Sequence, residues 1–179
     1  MTQTLFTPTM LGKLQLKNRI VMAPMTRSRA TGNVPNELME KYYALRAEAG
    51  LIINEGTSPS ANGLGSARIP GIFSDEQVRA WKKVTDGVHA KGGKIFVQLM
   101  HTGRVGHPAN MAADARILAP SAVALAGDMW TDSNGMQPYP VPTVMSEEDI
   151  ASAITEYAQA SKNAITAGPG REVRAEEAG

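Results

Sequence analysis

Cysteine is absent from the 179-residue chain, so disulfides and thiolate metal sites are excluded, the fold is indifferent to redox compartment, and no metal is assigned. An excess of one charge is absent too. Eighteen Lys and Arg stand against seventeen Asp and Glu, interspersed, for a net charge of +1, which gives no field for nucleic acid or an anionic membrane. No apolar run approaches the roughly 20 residues of a membrane span, and Met1-Thr2-Gln3-Thr4-Leu5 lacks the basic segment and apolar core of a secretory leader. These absences predict small-molecule partners, no nucleic acid, no membrane, and a cytoplasmic location.

What is present is an ordinary globular composition, 42% apolar and 20% charged, in a chain long enough to bury one core. Its organising stretch is Arg19-Ile20-Val21-Met22-Ala23-Pro24-Met25-Thr26-Arg27. A short apolar run over 20–23 breaks into Pro24-Met25-Thr26, as a buried parallel strand does on leaving a core. Pro24 has no amide hydrogen for a ladder, so the strand ends there. Beyond it, backbone amides and the Thr26 hydroxyl are free to address a ligand, at the strand end where α/β folds bind them.

Two further strands follow the same plan. Leu51-Ile52-Ile53 gives way to the polar Asn54-Glu55-Gly56-Thr57. Gly56 lets a flat ring approach its backbone, or serves only a turn. Residues 94–99 form the third strand, in which Gln98 interrupts Ile95, Phe96, Val97 and Leu99. An interior amide needs partners for both its carbonyl and its amino group, and packing alone explains it poorly. His101, just beyond, has the chemistry of a ligand or an acid/base group.

Around these strands, residues 6–16 read as a β-hairpin turning at Gly12-Lys13. Asn36 opens a helix with Leu38, Met39, Tyr42, Tyr43, Leu45 and Arg46 at helical spacing, ending at Gly50. Both tyrosines read as core packing. Ser74 and Gln77 form a capping box ahead of the stripe Val78, Trp81, Val84 and Val88. Ser146 caps a third helix carrying Ile150, Ile154, Tyr157, Ala158, Ser161 and Ile165. The long polar loop 58–70 is of functional length, and residues 126–142, with Trp130, Asn134-Gly135 and Tyr139, read as a hairpin-like excursion.

Four blocks in order carry a resemblance: residues 11–27; Asn54-Glu55-Gly56-Thr57; Pro70-Gly71-Ile72; and Val97-Gln98-Leu99-Met100-His101-Thr102-Gly103-Arg104. Together they resemble the Old Yellow Enzyme family of FMN-dependent ene-reductases. The resemblance implies an α/β fold of the TIM (β/α)8-barrel family, here an incomplete barrel with an N-terminal β-hairpin and the first three βα units over 1–168. It also implies FMN as cofactor and NADPH or NADH as hydride donor. An enone-type small molecule would be reduced at its C=C bond through flavin N5. Thr26 would meet the flavin O4 edge and Gln98 its uracil-like edge, with Pro24, Met25 and Gly56 along the backbone-facing side. His101 and Arg104 would be site-wall or loop-holding groups. The excursion would overhang the flavin, and Met100 stands where many relatives carry Trp.

The same resemblance names no catalytic residue in this chain. In the family the carbonyl-polarising pair follows the fourth strand, and the protonating tyrosine, a flavin-binding arginine and the phosphate loop come later; no position here matches them. Residues 169–179, charged and poor in aliphatics, read as a divergent, disordered tail from a frameshift, a truncation or a natural short form. A whole barrel takes about 250 residues, and three parallel strands leave two apolar edges unpaired. The expectations are therefore impaired turnover and self-association through those edges. The alternative is a non-catalytic fragment or assembly partner of a flavin reductase barrel. A barrel enzyme for phosphate-bearing substrates would need a glycine-rich cradle, whose spacing Gly103-Arg104-Val105-Gly106 lacks.

Overall fold

A computed structural model describes residues 4–168; the expected tail over 169–179 lies outside the described residues. The chain opens with an antiparallel hairpin of β1 (Thr9–Leu11) and β2 (Leu14–Leu16). Gly12, at φ +58, makes the two-residue turn with Lys13. Alternation puts Leu14 and Leu16 on one face, where they are buried against Leu51, Ile53 and Phe96. The hairpin thus plugs the amino end of the main sheet.

That sheet is three parallel strands in the order β3 (Val21–Met22), β4 (Leu51–Thr57), β5 (Ile95–Leu99). Two expectations need correction here. The first strand is not buried: it is two residues long, its open edge has no described neighbour, and Val21 is 48% exposed. The second strand does not stop at Ile53. It runs on through Asn54-Glu55-Gly56-Thr57, all buried, with a register shift against β5 between Ile53 and Gly56. A strand can carry that polar quartet inside the fold because its side chains find partners there, as described below.

Helix α1 (Glu37–Ala44) is capped by Asn36 Oδ1, which accepts from the backbone amides of Leu38 and Met39. It ends six residues short of the expected Gly50, the intervening segment being turns. Met39 and Tyr43 are buried; Leu38 and Leu45 are exposed. Helix α2 (Asp75–His89) has the expected capping box and buries Trp81, Val84 and Val88, with Val78 half-buried. Trp81 also donates its indole hydrogen to the Gly71 carbonyl at 3.1 Å.

Beyond β5, a short parallel pair, β6 (Leu118–Ala119) with β9 (Thr143–Val144), flanks the hairpin β7 (Asp128–Thr131) and β8 (Gly135–Pro138). The excursion expected over 126–142 is therefore a hairpin. Helix α3 (Glu147–Thr166) follows a second capping box between Ser146 and Asp149. Its buried face differs from the expected isoleucine stripe. Ala160, Ala164 and, just past the helix, Ala167 face the core, and the Asn163 amide donates to the Ile72 carbonyl at 2.7 Å. Small side chains let the helix approach closely, leaving Ile150, Ile154 and Ile165 exposed. None of the described helices is long and apolar enough to cross a membrane.

Candidate functional site

The residues expected to hold a ligand all lie at or just past the carboxyl ends of the three parallel strands. Gly56 and Gln98 are brought together as cross-strand partners in the β4–β5 register. Pro24, Met25 and Thr26 lie on the loop that leaves β3, with Met25 and Thr26 exposed. That loop meets β4 through Arg27, whose amide donates to a carboxylate oxygen of Glu55, the residue before Gly56. The Thr26 hydroxyl and the half-buried Gln98 side-chain amide hydrogen-bond to no described residue.

Gly56 does not serve a turn, since it lies within β4. A Cβ there would stand 2.5 Å from Met100 Cε and 2.7 Å from its Sδ, so the methionine thioether lies over the bare backbone. Met is unbranched and adaptable. An amide with donor and acceptor, a hydroxyl, both without a described partner, and a side-chain-free backbone are the kinds of group that the edge and face of an isoalloxazine would require.

Two residues central to this geometry, Asn54 and Glu55, carry no site role in the sequence reading, and their partner Tyr43 is read there as core packing, which it also is. Asn54 and Glu55 are almost completely buried, at 2% and 1% exposure. Asn54 Oδ1 accepts the Gln98 backbone N–H at 2.8 Å, and its side-chain nitrogen donates to Thr57 Oγ1 at 3.4 Å. Glu55 Oε2 accepts the Arg27 amide at 3.2 Å and Oε1 accepts the Tyr43 hydroxyl at 3.1 Å. The Glu55 amide in turn donates to the Tyr43 oxygen at 2.8 Å. Burial pushes the Glu55 carboxyl above the usual carboxylate range, against the pull of the Arg27 amide and the Tyr43 hydroxyl. Burial and the neighbouring Glu55 raise the Tyr43 phenol as well. An Asn-Glu pair directly after three aliphatics was the available signal, because a buried carboxylate requires partners.

His101 sits beside the site with its ring committed to the backbone: Nδ1 accepts the Gly103 amide at 3.0 Å. Its own amide donates to the Tyr157 oxygen at 3.1 Å. Burial lowers its pKa, with Glu156 opposing. Arg104 holds a loop, donating to the Val123 carbonyl at 3.0 Å and to Ser121 Oγ at 2.9 Å. The hairpin β7–β8 is moored by Asn110, whose side-chain nitrogen donates to the carbonyls of Gly65 at 3.1 Å and Trp130 at 3.0 Å. Trp130 bonds Asp132 Oδ1 at 3.2 Å and is 54% exposed.

Residues 4–171 match the NADH:flavin oxidoreductase / NADH oxidase family. A probable flavin mononucleotide-dependent alkene reductase of Leishmania infantum is 48% identical over 166 residues, which are 90% of this chain and 46% of that relative. Among solved structures, the Old Yellow Enzyme homologue of Zymomonas mobilis superposes with a TM-score of 0.87 at 44% identity, over 92% of this chain and 46% of that one. Morphinone reductase in complex with tetrahydroNAD gives 0.84 at 40% identity, over 93% and 47%. The chain spans about half the length of the relatives it matches. The expected cofactors, FMN and a nicotinamide donor, are those these names carry.

Proposed function

The chain belongs to the NADH:flavin oxidoreductase / NADH oxidase family, and from that premise we propose that residues 1–168 form the flavin-gripping portion of an FMN-dependent oxidoreductase barrel. Its reaction is reduction of the C=C bond of α,β-unsaturated carbonyl compounds with NADPH or NADH. The observation that carries the reading is Gln98: a half-buried amide near the carboxyl end of β5, an edge strand of the described sheet, bonded to no described side chain or carbonyl through its own side chain, beside the side-chain-free backbone of Gly56. Its carboxamide offers both a donor and an acceptor, and the pyrimidine edge of a flavin presents the complement of each.

In this reading the Gln98 carboxamide bonds that edge and the Thr26 hydroxyl donates to O4. Pro24, Met25 and Gly56 line the side of the ring that faces the backbone. Bound FMN would supply the hydride relay between nicotinamide and enone. The protein's share is orientation and fixed dipoles, which weigh more in a site shielded from water than in water itself. The test is a flavin titration of the purified 179-residue chain, followed by an assay for NADPH-dependent loss of a cyclic enone. Yellow protein after desalting, with affinity weakened in Gln98→Ala, supports the reading; colourless protein that releases added FMN overturns it.

Two surfaces favour a companion reading, association with a second chain. The outer edges of β3 and β5 are unpaired among the described residues, and Ile150, Ile154 and Ile165 are exposed on α3. Open edges and apolar faces are surfaces that chains cover by pairing.

A further inference from the structure

The central strand β4 carries two consecutive buried polar side chains, and each reaches to a different flanking segment. Asn54 goes to β5, where its Oδ1 accepts the Gln98 backbone amide. Glu55 goes to the loop after β3, where its Oε2 accepts the Arg27 amide. The Arg27 amide stands beyond the end of one ladder, and the Gln98 amide stands beside the irregularity in the other. The β3–β4 register ends at the pair Met22 and Ile52, five residues before Arg27, and the β4–β5 register slips between Ile53 and Gly56. A backbone amide at such a gap must be paired with something, and here the partner is a side chain in both cases.

The two braced backbones are those of the candidate flavin contacts. Gln98 is one itself, and Arg27 directly follows Thr26. We propose that Asn54 and Glu55 are positioning residues, a two-armed brace that fixes the Thr26 hydroxyl and the Gln98 carboxamide relative to each other for one flavin ring. The inference rests on the flavin reading of Thr26 and Gln98 given above.

Fold stability alone accounts poorly for this choice of residues. A buried carboxylate is costly, and apolar residues of similar volume usually fill such a site at no loss. A carboxylate is nonetheless a strong acceptor for an amide that no carbonyl of the ladder reaches. Tyr43 holds the other carboxylate oxygen and so fixes the side chain's direction. Asn54 is tied in the same manner through Thr57, whose hydroxyl donates to the Glu55 carbonyl at 2.9 Å. The arms therefore share one short, rigid stretch of β4, and a displacement of one is felt by the other. Misplacing a contact by about 1 Å costs on the order of a hundredfold in a reacting site.

The test reads amide hydrogen exchange on the full chain without flavin, and FMN affinity with the bound flavin's absorption spectrum separately. Glu55→Met and Asn54→Leu remove each acceptor oxygen at similar volume; Glu55→Gln and Asn54→Asp keep one. Exchange should quicken about tenfold or more at Arg27 in Glu55→Met and at Gln98 in Asn54→Leu, and return toward the parent rate in Glu55→Gln and Asn54→Asp. FMN affinity should fall about tenfold in the two apolar variants and recover with the conservative ones. Glu55→Met added to Thr26→Ala should cost less affinity than Glu55→Met alone. Where Glu55→Met or Asn54→Leu does not fold, Glu55→Asp and Asn54→Ser, whose shorter side chains withdraw the oxygen, give the same readout. Unchanged exchange at Arg27 and Gln98, or losses of affinity that simply add, overturns the brace. An FMN affinity indifferent to both Thr26→Ala and Gln98→Ala overturns the flavin reading beneath it, whatever the exchange rates.

Discussion

Tyr43 and Glu55 are bound to each other twice: the phenol hydroxyl donates to Oε1 of the carboxylate at 3.1 Å and accepts the Glu55 backbone amide at 2.8 Å. One hydroxyl on α1 thereby satisfies both a side chain and the main chain of β4, inside a core that also holds Trp81 at 6.3 Å from the tyrosine ring.

Tyr43→Phe keeps the ring and removes that hydroxyl. A buried amide and a carboxylate oxygen then lose their partner, at a cost of about 1–3 kcal/mol. Urea unfolding should show the midpoint shifted down at unchanged slope. An unshifted midpoint would mean that water replaces the hydroxyl without loss.

Glu55 and His101 should give opposite dependences of stability on pH. Burial raises the Glu55 carboxyl, so the folded chain keeps a proton that the unfolded chain has released. Stability from this group therefore falls as pH climbs from the ordinary carboxylate range through the raised folded value. Burial depresses His101, so the unfolded chain binds a proton that the folded chain refuses. Its contribution is present above about pH 6.5 and is lost as pH falls from there through the lowered folded value. Melting temperatures across this range check both signs: Glu55→Gln should remove the first slope and His101→Asn the second.

Gly56→Ala places a methyl group 2.5 Å from Met100 Cε and 2.7 Å from its Sδ. Because these atoms are the movable end of an adaptable side chain, the expected loss is about 1 kcal/mol or less, the low end of overpacking. Shortening the obstructing side chain should restore part of it, so the double variant Gly56→Ala, Met100→Ala is expected to be more stable than the sum of the single effects. Strict additivity in a double-mutant cycle would show that the two side chains do not meet.

Ile154 is 67% exposed on the outer face of α3. Ile154→Lys should leave the helix intact, since Lys is a good helix former, and should lower the self-associated fraction seen by sedimentation velocity. Equal sedimentation of the variant and the parent would exclude this face as the contact.

Much of this architecture is legible in the sequence because local chemistry decides it. Gly12 marks the hairpin turn, Ser74 with Gln77 and Ser146 with Asp149 mark helix starts, and Trp81, Val84 and Val88 mark the buried stripe of α2. Tertiary choices are harder to read. Nothing in the spacing of Ile150, Ile154 and Ile165 says that α3 docks through Ala160 and Ala164 instead, because close approach depends on what the neighbouring helix presents. The positions of Gly56 and Gln98 follow from strand ends, whereas the roles of Asn54 and Glu55 required a view of which amides the ladder leaves unpaired.

The Asn110 mooring has a practical corollary. One amide nitrogen grips both the loop through Gly65 and the hairpin through Trp130, so the two segments share a tether. A fluorophore or spin label attached at exposed Ser133, out on the hairpin tip, would report displacement of the 58–70 loop without touching the strand ends it borders.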